Sequence, residues 1–176
     1  MAVFTVIDHT EIGSGGAASW TKASIPASYD HLYLLGSLRT ERADYWEDGK
    51  VNLNGDTGNN YSYTRLKGGS GGATSSRNDG LTRLEKWNMS GASALADTFG
   101  PLMIWIPNYA GTVGYTQILL NTGASGNTTT STQYSLGWYA GVWSSTAAVD
   151  EITIATNDGE DLAQYSTITL YGVTGA

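Results

Sequence analysis

Hydrophobic positions along this chain come in short runs or in alternation with polar ones, without the repeat of three to four residues that marks a long amphipathic helix. Residues 3–7 form the first such run, and the glycines at 13, 15 and 16 break the chain after it. Residues 20–25 form the next and stop at Pro26. In residues 32–38, Leu32, Leu34, Gly36 and Leu38 face one way and Tyr33, Leu35 and Ser37 the other. Both faces are largely apolar, which predicts a strand in the middle of a sheet. Val51 and Leu53 alternate with Asn52 and Asn54, then turn at Gly55 and Asp56. Tyr61, Tyr63 and Arg65 alternate with Ser62, Thr64 and Leu66. Residues 102–106, 115–120, 134–143, 152–155 and 167–173 complete the clear strand signals, with residues 81–87 and 94–99 less sharply patterned.

Between these runs lie turn-forming stretches. Residues 68–80 are rich in Gly, Ser and Asn and read as a long surface loop. Residues 121–132 read as a second, and residues 90–96 as a site for a short helical turn. Gly137 and Gly141, inside the longest strand signal, suggest bulges or close backbone approach. The pattern predicts an all-β chain of about ten to twelve strands. They pack as a two-sheet antiparallel β sandwich, jelly-roll-like, in a single domain over residues 1–176. Its expected core includes Val6, Leu34, Leu38, Ile104, Ile106, Leu119, Ile154 and Leu170.

Composition narrows the function classes. With 176 residues the chain is long enough to bury a sizeable core without staples. It has no cysteine, so disulfides, thiolate metal sites and cysteine nucleophiles are excluded together. A net charge of -7 argues against nucleic acid and against an anionic membrane as partners. Arg39, Arg42, Arg65, Lys67 and Arg77 leave room for a local basic patch in the first half. The opening residues have neither a basic stretch nor a long apolar run, so no signal peptide is expected.

Candidate chemistry is sparse. His9 and His31 each follow an aspartate, but no G-x-S-x-G elbow accompanies them, and a structural hydrogen-bonding role is expected for both. Glu41, Asp44, Glu47 and Asp48 contain the two carboxylates a glycosidase needs, but they crowd into one Arg-containing loop, residues 39–49, and read as solvated surface. Residues 54–60 and 157–161 offer oxygen ligands for calcium without EF-hand spacing; the same Asn, Asp and Gly suit tight turns, which is the expectation here. The glycine runs near residues 13–16 and 68–72 lack the Lys-Ser/Thr of a phosphate loop. No catalytic, metal or cofactor residue is therefore assigned. The contact candidates are Tyr45 and Trp46, in an otherwise polar loop, with Gly71 and Asn127 in the two long loops. Trp138 and Tyr139 must point to opposite faces of a strand, so one of them is expected in the core.

Several segments carry a family resemblance. They are residues 7–12 (Ile-Asp-His-Thr-Glu-Ile), Ala18-Ser19-Trp20, and Ile25-Pro26-Ala27-Ser28-Tyr29-Asp30-His31-Leu32. Val51-Asn52-Leu53-Asn54-Gly55-Asp56, Tyr61-Ser62-Tyr63 and Ile104-Trp105-Ile106-Pro107-Asn108-Tyr109 follow. Residues 136–149 and the closing Thr167-Ile168-Thr169-Leu170-Tyr171-Gly172-Val173 complete the set. Together they resemble small structural modules on the heads and tail appendages of tailed-bacteriophage virions. The resemblance implies a virion structural role, a place on the virion surface after synthesis in the host cytoplasm, and no catalytic residues. The leading expectation is a capsid decoration (cement) protein binding across capsomer junctions. Its partners would be the major capsid protein and copies of itself, as a trimer, with no cofactor. The alternative is a tail-associated receptor- or carbohydrate-binding module, with glycan as partner. A glycan-degrading enzyme is the third class.

Overall fold

The computed structural model describes residues 1–69, 72–125 and 134–175. In chain order the strands are β1 (Val3–Glu11), β2 (Ser19–Lys22), β3 (His31–Leu38), β4 (Trp46–Leu53), β5 (Tyr61–Gly69) and β6 (Gly72–Leu81). They continue with β7 (Leu84–Ser90), β8 (Gly100–Pro107), β9 (Thr116–Ser125), β10 (Tyr134–Trp143), β11 (Ile152–Thr156) and β12 (Thr167–Thr174). Among the described residues there is no helix. Eight strands form one sheet in the order β1-β12-β3-β8-β9-β10-β5-β6, and four form the other in the order β2-β11-β4-β7. All neighbouring strands are antiparallel. The chain crosses repeatedly between the sheets, so the fold is a two-sheet β sandwich of the kind the alternation predicts.

The core lies between the sheets. The larger one contributes Leu32, Leu34, Leu38, Ile104, Ile106, Leu120 and Leu170, and the smaller one Trp20, Val51, Leu53, Leu84, Ile152 and Ile154. β3 lies between β12 and β8, as its two apolar faces predict. Of the expected core, Leu34, Leu38, Ile104, Ile106, Ile154 and Leu170 are buried, but Val6 and Leu119 are 56% and 46% exposed. Alternation explains Leu119: its neighbours Ile118 and Leu120 take the inward positions on β9. Val6 stands on edge strand β1, opposite outward-facing Tyr171.

Three loop expectations are corrected. Within the stretch 68–80, residues 68–69 and 72–80 are strand and not loop. β5 runs through Gly69 and returns as β6, pairing Lys67 with Thr74 and Leu66 with Ser75. β6 is an edge strand exposed on most of its length, so it needs no apolar side chains. In the second stretch, β9 extends to Ser125, and residues 126–132 lie outside the described residues. Of the contact candidates, Gly71 and Asn127 lie outside the described residues. Residues 91–98 form non-helical turns, where the Arg39 guanidinium donates to the carbonyls of Ala92, Ala94, Leu95 and Thr98 at 2.9–3.2 Å. These carbonyls are held by a side chain and not by a helical ladder.

The β4–β5 connection begins with a tight turn. Asn54 and Gly55 both have positive φ, 52° and 61°, and Asp56 N–H donates to the Leu53 carbonyl at 3.0 Å. Gly137 and Gly141 mark close approach and not bulges, since β10 pairs with β5 and β9 without a break. A Cβ on Gly137 would stand 2.6 Å from the ring of Tyr139.

Candidate functional site

Glu41 is exposed and Asp44 half-buried, but Glu47 and Asp48 are not solvated surface. β4 begins at Trp46, so Glu47 and Asp48 are strand residues that project to opposite sides. Glu47 is buried, and its Oε2 has no hydrogen-bond partner among the described residues. Its Oε1 lies 3.6 Å from Arg42 and accepts weakly from Asp158 N–H at 3.4 Å. Burial pushes the Glu47 carboxyl above the ordinary carboxylate range, and the backbone hydrogen bond and Arg42 only partly offset it. Burial raises Asp48 likewise, against the pull of Lys67, Lys86 and Arg65. Asp48 accepts from Asn88 Nδ2 at 2.8 Å, and Asn88 Oδ1 accepts from Ser135 at 2.6 Å. Thr122 also donates to the Asn88 carbonyl, so this polar network ties the small sheet to the large one. Consecutive strand residues cannot face each other across a cleft, so the pair does not have the arrangement of glycosidase carboxylates.

The basic residues are similarly committed. Arg39 clamps the turns described above. Arg42 pairs with Asp158, whose hydrogen bond raises the guanidinium further. Arg65 donates to Ser76 at 2.7 Å, and Arg77 pairs with Asp79. Lys67 lies over the Trp46 ring at 4.9 Å, and its burial lowers the ammonium. Arg39, Arg42 and Arg77 are engaged separately, whereas Arg65 and Lys67 stand together on one side of β5 and, with Lys86, face Asp48.

The turn segments hold themselves. Asp56 accepts from Gly58 N–H at 2.7 Å, Asn60 Nδ2 at 2.9 Å and Trp143 Nε1 at 2.6 Å. Those donors, the indole first, hold its carboxyl below the usual range. In the other segment, Asn157 N–H donates to the Asp48 carbonyl and Asp158 is taken by Arg42. The histidines are far apart in role: His9 Nδ1 meets Thr169 Oγ1 at 2.8 Å, and His31 Nδ1 accepts from Asn108 N–H at 3.0 Å. Both are hydrogen-bonded as expected.

Of the proposed contact aromatics, Tyr45 and Trp46 are only half exposed. Tyr139 is the core member of its pair: its hydroxyl donates to the Lys86 carbonyl at 2.6 Å, and burial pushes it up to about 12. Trp138 is the exposed one, at 60%.

Trp138 belongs to a much larger surface, the outward face of the eight-stranded sheet. Strand register arranges that face in rows. One row runs through Val6, Tyr171, Tyr33 and Trp105, then Leu119, Ala140 and Thr64. The next contains Leu35, Met103, Asn121, Trp138 and Leu66. Leu136 and Tyr134 extend the apolar area along β10. Phe4 packs edge-on to Tyr33 and Tyr171 at 6.0 and 6.2 Å, and Tyr33 to Trp105 at 5.9 Å. A hollow of about 400 Å³ beside Trp138 is lined by Leu66, Ala73, Ser75 and Leu136. A second, of about 200 Å³, lies toward Leu119 and Ala140.

Charge avoids this surface. β12, β3, β8, β9 and β10 are consecutive in the sheet, and none of the chain's 9 basic and 16 acidic residues falls in them. Arg65 and Lys67 of β5 share the inward parity of Tyr61 and Tyr63. Sequence reading missed this surface because it assigned apolar outward positions to the core. The available signal was β8 and β10, largely apolar on both faces in a two-layer fold that covers only one.

No family model matches the chain, and no curated protein matches it. Among solved structures it is similar to a GH43 glycoside hydrolase engineered for both endo-xylanase and exo-arabinofuranosidase activity. That match has 12% identity and a TM-score of 0.42, and covers 97% of this chain but 36% of the hydrolase, little more than a third of its length. It is also similar to a galectin of Caenorhabditis elegans, at 7% identity and a TM-score of 0.35, covering 94% and 95% of the two chains. Toad ovary galectin, solved with thio-digalactose, matches at 9% identity and a TM-score of 0.37, covering 88% and 98%. At such scores the likeness assigns neither a family nor a function.

Proposed function

We propose that this chain is a non-enzymatic structural protein of a tailed-bacteriophage virion, a head decoration protein that works through contact. The observation that supports this most directly is the uncharged outward face. Five adjacent strands without an ionised side chain, presenting Trp138, Leu136, Met103 and Leu119 to solvent, form a surface suited to protein contact. Interface centres are depleted of charge and enriched in aromatics in the same way. The segments that resemble virion modules supply the setting. Decoration needs only differential binding: each bound copy favours the assembled shell by its binding free energy.

A second reading, the tail-associated glycan binder, draws on Trp138 and the hollows beside it. The lining of the larger hollow is mostly apolar, whereas a sugar site also needs fixed hydrogen-bonding groups.

The test uses heads and tails of the encoding phage, purified apart and lacking this protein. The purified chain is expected to bind heads and raise their heat resistance, and Leu136→Arg to bind at least tenfold more weakly while keeping its β circular dichroism. Binding to tails or to a glycan array, without binding to heads, would move the assignment to the second reading. Binding to neither particle nor glycan would remove both.

A further inference from the structure

We propose that the occupant of the uncharged face is a second copy of this chain, seated face to face. The inference rests on the reading of that face as a protein contact surface and names its partner; heads are then bound by the pair through its remaining surfaces, and a charge on this face weakens head binding by breaking the pair. Size is the first argument. Six inter-strand spacings of about 4.8 Å from β1 to β5, the strands joined by the rows from Val6 to Thr64, and outward rows spanning roughly 25 Å along the strands, give a face on the order of 700 Å². That is about what each partner contributes to a stable interface of standard size.

Shape is the second argument. Sheets twist with one hand, and two such sheets pack on each other aligned at about 30°, so the face of one copy complements the face of another. Charge is the third. Two chains of net charge -7 repel, so association between copies is cheapest where neither brings an ionised group. The five central strands are such a place. β4, by contrast, carries Glu47, Asp48 and Lys50, and β7 carries Glu85 and Lys86. One face used by both copies is an isologous contact and closes at two copies. Leu119 and Trp105, paired in register across β9 and β8, lie near the middle of the contact.

The experiment is sedimentation of the full chain across a concentration series, beside Leu119→Arg and a control charge on the small sheet, Thr21→Arg. Wild type and Thr21→Arg are expected at the mass of two copies. Leu119→Arg is expected at half that mass with an unchanged circular dichroism spectrum. A wild-type chain that sediments as one copy throughout, or a Leu119→Arg that still pairs, overturns the inference. The heads of the preceding section then separate the two claims. If wild type is a single copy and Leu119→Arg still loses head binding, the face contacts the capsid and only its self-pairing is wrong. If wild type is a single copy and Leu119→Arg binds heads normally, the contact reading of the face falls as well.

Discussion

Leu119 and Ile104 lie on neighbouring strands and read alike in the sequence, but their environments differ. Ile104 is 1% exposed and Leu119 is 46% exposed. Ile104→Ala removes buried methyl groups and leaves a cavity, and should cost about 2–5 kcal/mol. Leu119→Ala should cost under about 1 kcal/mol, measured by urea unfolding at dilutions where the chain is a single copy. Equal losses would show that the outer face is covered within one molecule. Glu47 carries a different prediction. Its folded-state carboxyl titrates above the ordinary value because burial disfavours the charge. As pH falls from neutral, the folded chain therefore takes up this proton before the unfolded chain does, and acidification stabilises until the unfolded carboxyl protonates as well. Asp48 acts in the same direction and Asp56, whose carboxyl is held low, in the opposite one. Both are common to wild type and Glu47→Gln, so the difference between the two isolates Glu47. Urea midpoints from neutral down to the usual carboxylate range should show wild type gaining on the variant as pH falls. A constant gap would show that Glu47 does not titrate as its burial implies. Alternation made the inward leucines and isoleucines legible. It left Glu47 illegible, because the residue is covered by Arg42 and the backbone at Asp158, a segment more than a hundred residues away that local polarity does not report.

At the scale of elements, the strands with an apolar face were legible and β6 was not. Gly-Ala-Thr-Ser-Ser-Arg-Asn-Asp-Gly-Leu has the composition of a loop, and an edge strand open to water on both sides exerts no pressure to change it. Its strand geometry comes from the ladder with β5, which propensity alone does not report. Trp46 misled for the related reason that local polarity says little about burial: the residue opens β4, under Lys67. Within β10, by contrast, the glycine signal was informative. Gly137 leaves room for the Tyr139 ring, whose hydroxyl reaches across to the Lys86 carbonyl of β7. Gly137→Ala should displace that ring, cost about 1–3 kcal/mol and return the tyrosine toward an ordinary titration, which its ultraviolet absorbance at alkaline pH reads. Full stability with an unaltered tyrosine titration would show that the ring has another place to go.

At the scale of the molecule, charge segregation organises what the residues and strands do separately. Ionised groups gather on β4, β7, the edge strands and the connecting segments, and the centre of the large sheet is left bare of them. The sequence contains that segregation, but as five charge-free strands scattered between residues 31 and 174. Only the strand order makes them neighbours. The same order has a kinetic consequence. β1 finds its partner in β12, at the far end of the chain, and β12 in turn joins β1 to β3. The large sheet therefore cannot be finished until loops spanning most of the polypeptide have closed, and their entropy is lost before the contacts that repay it are made. Folding is accordingly slow, in the range of milliseconds to seconds typical of non-local β topologies. Until closure the charge-free strands are open to other chains, so crowding during synthesis is when this protein is most prone to aggregate.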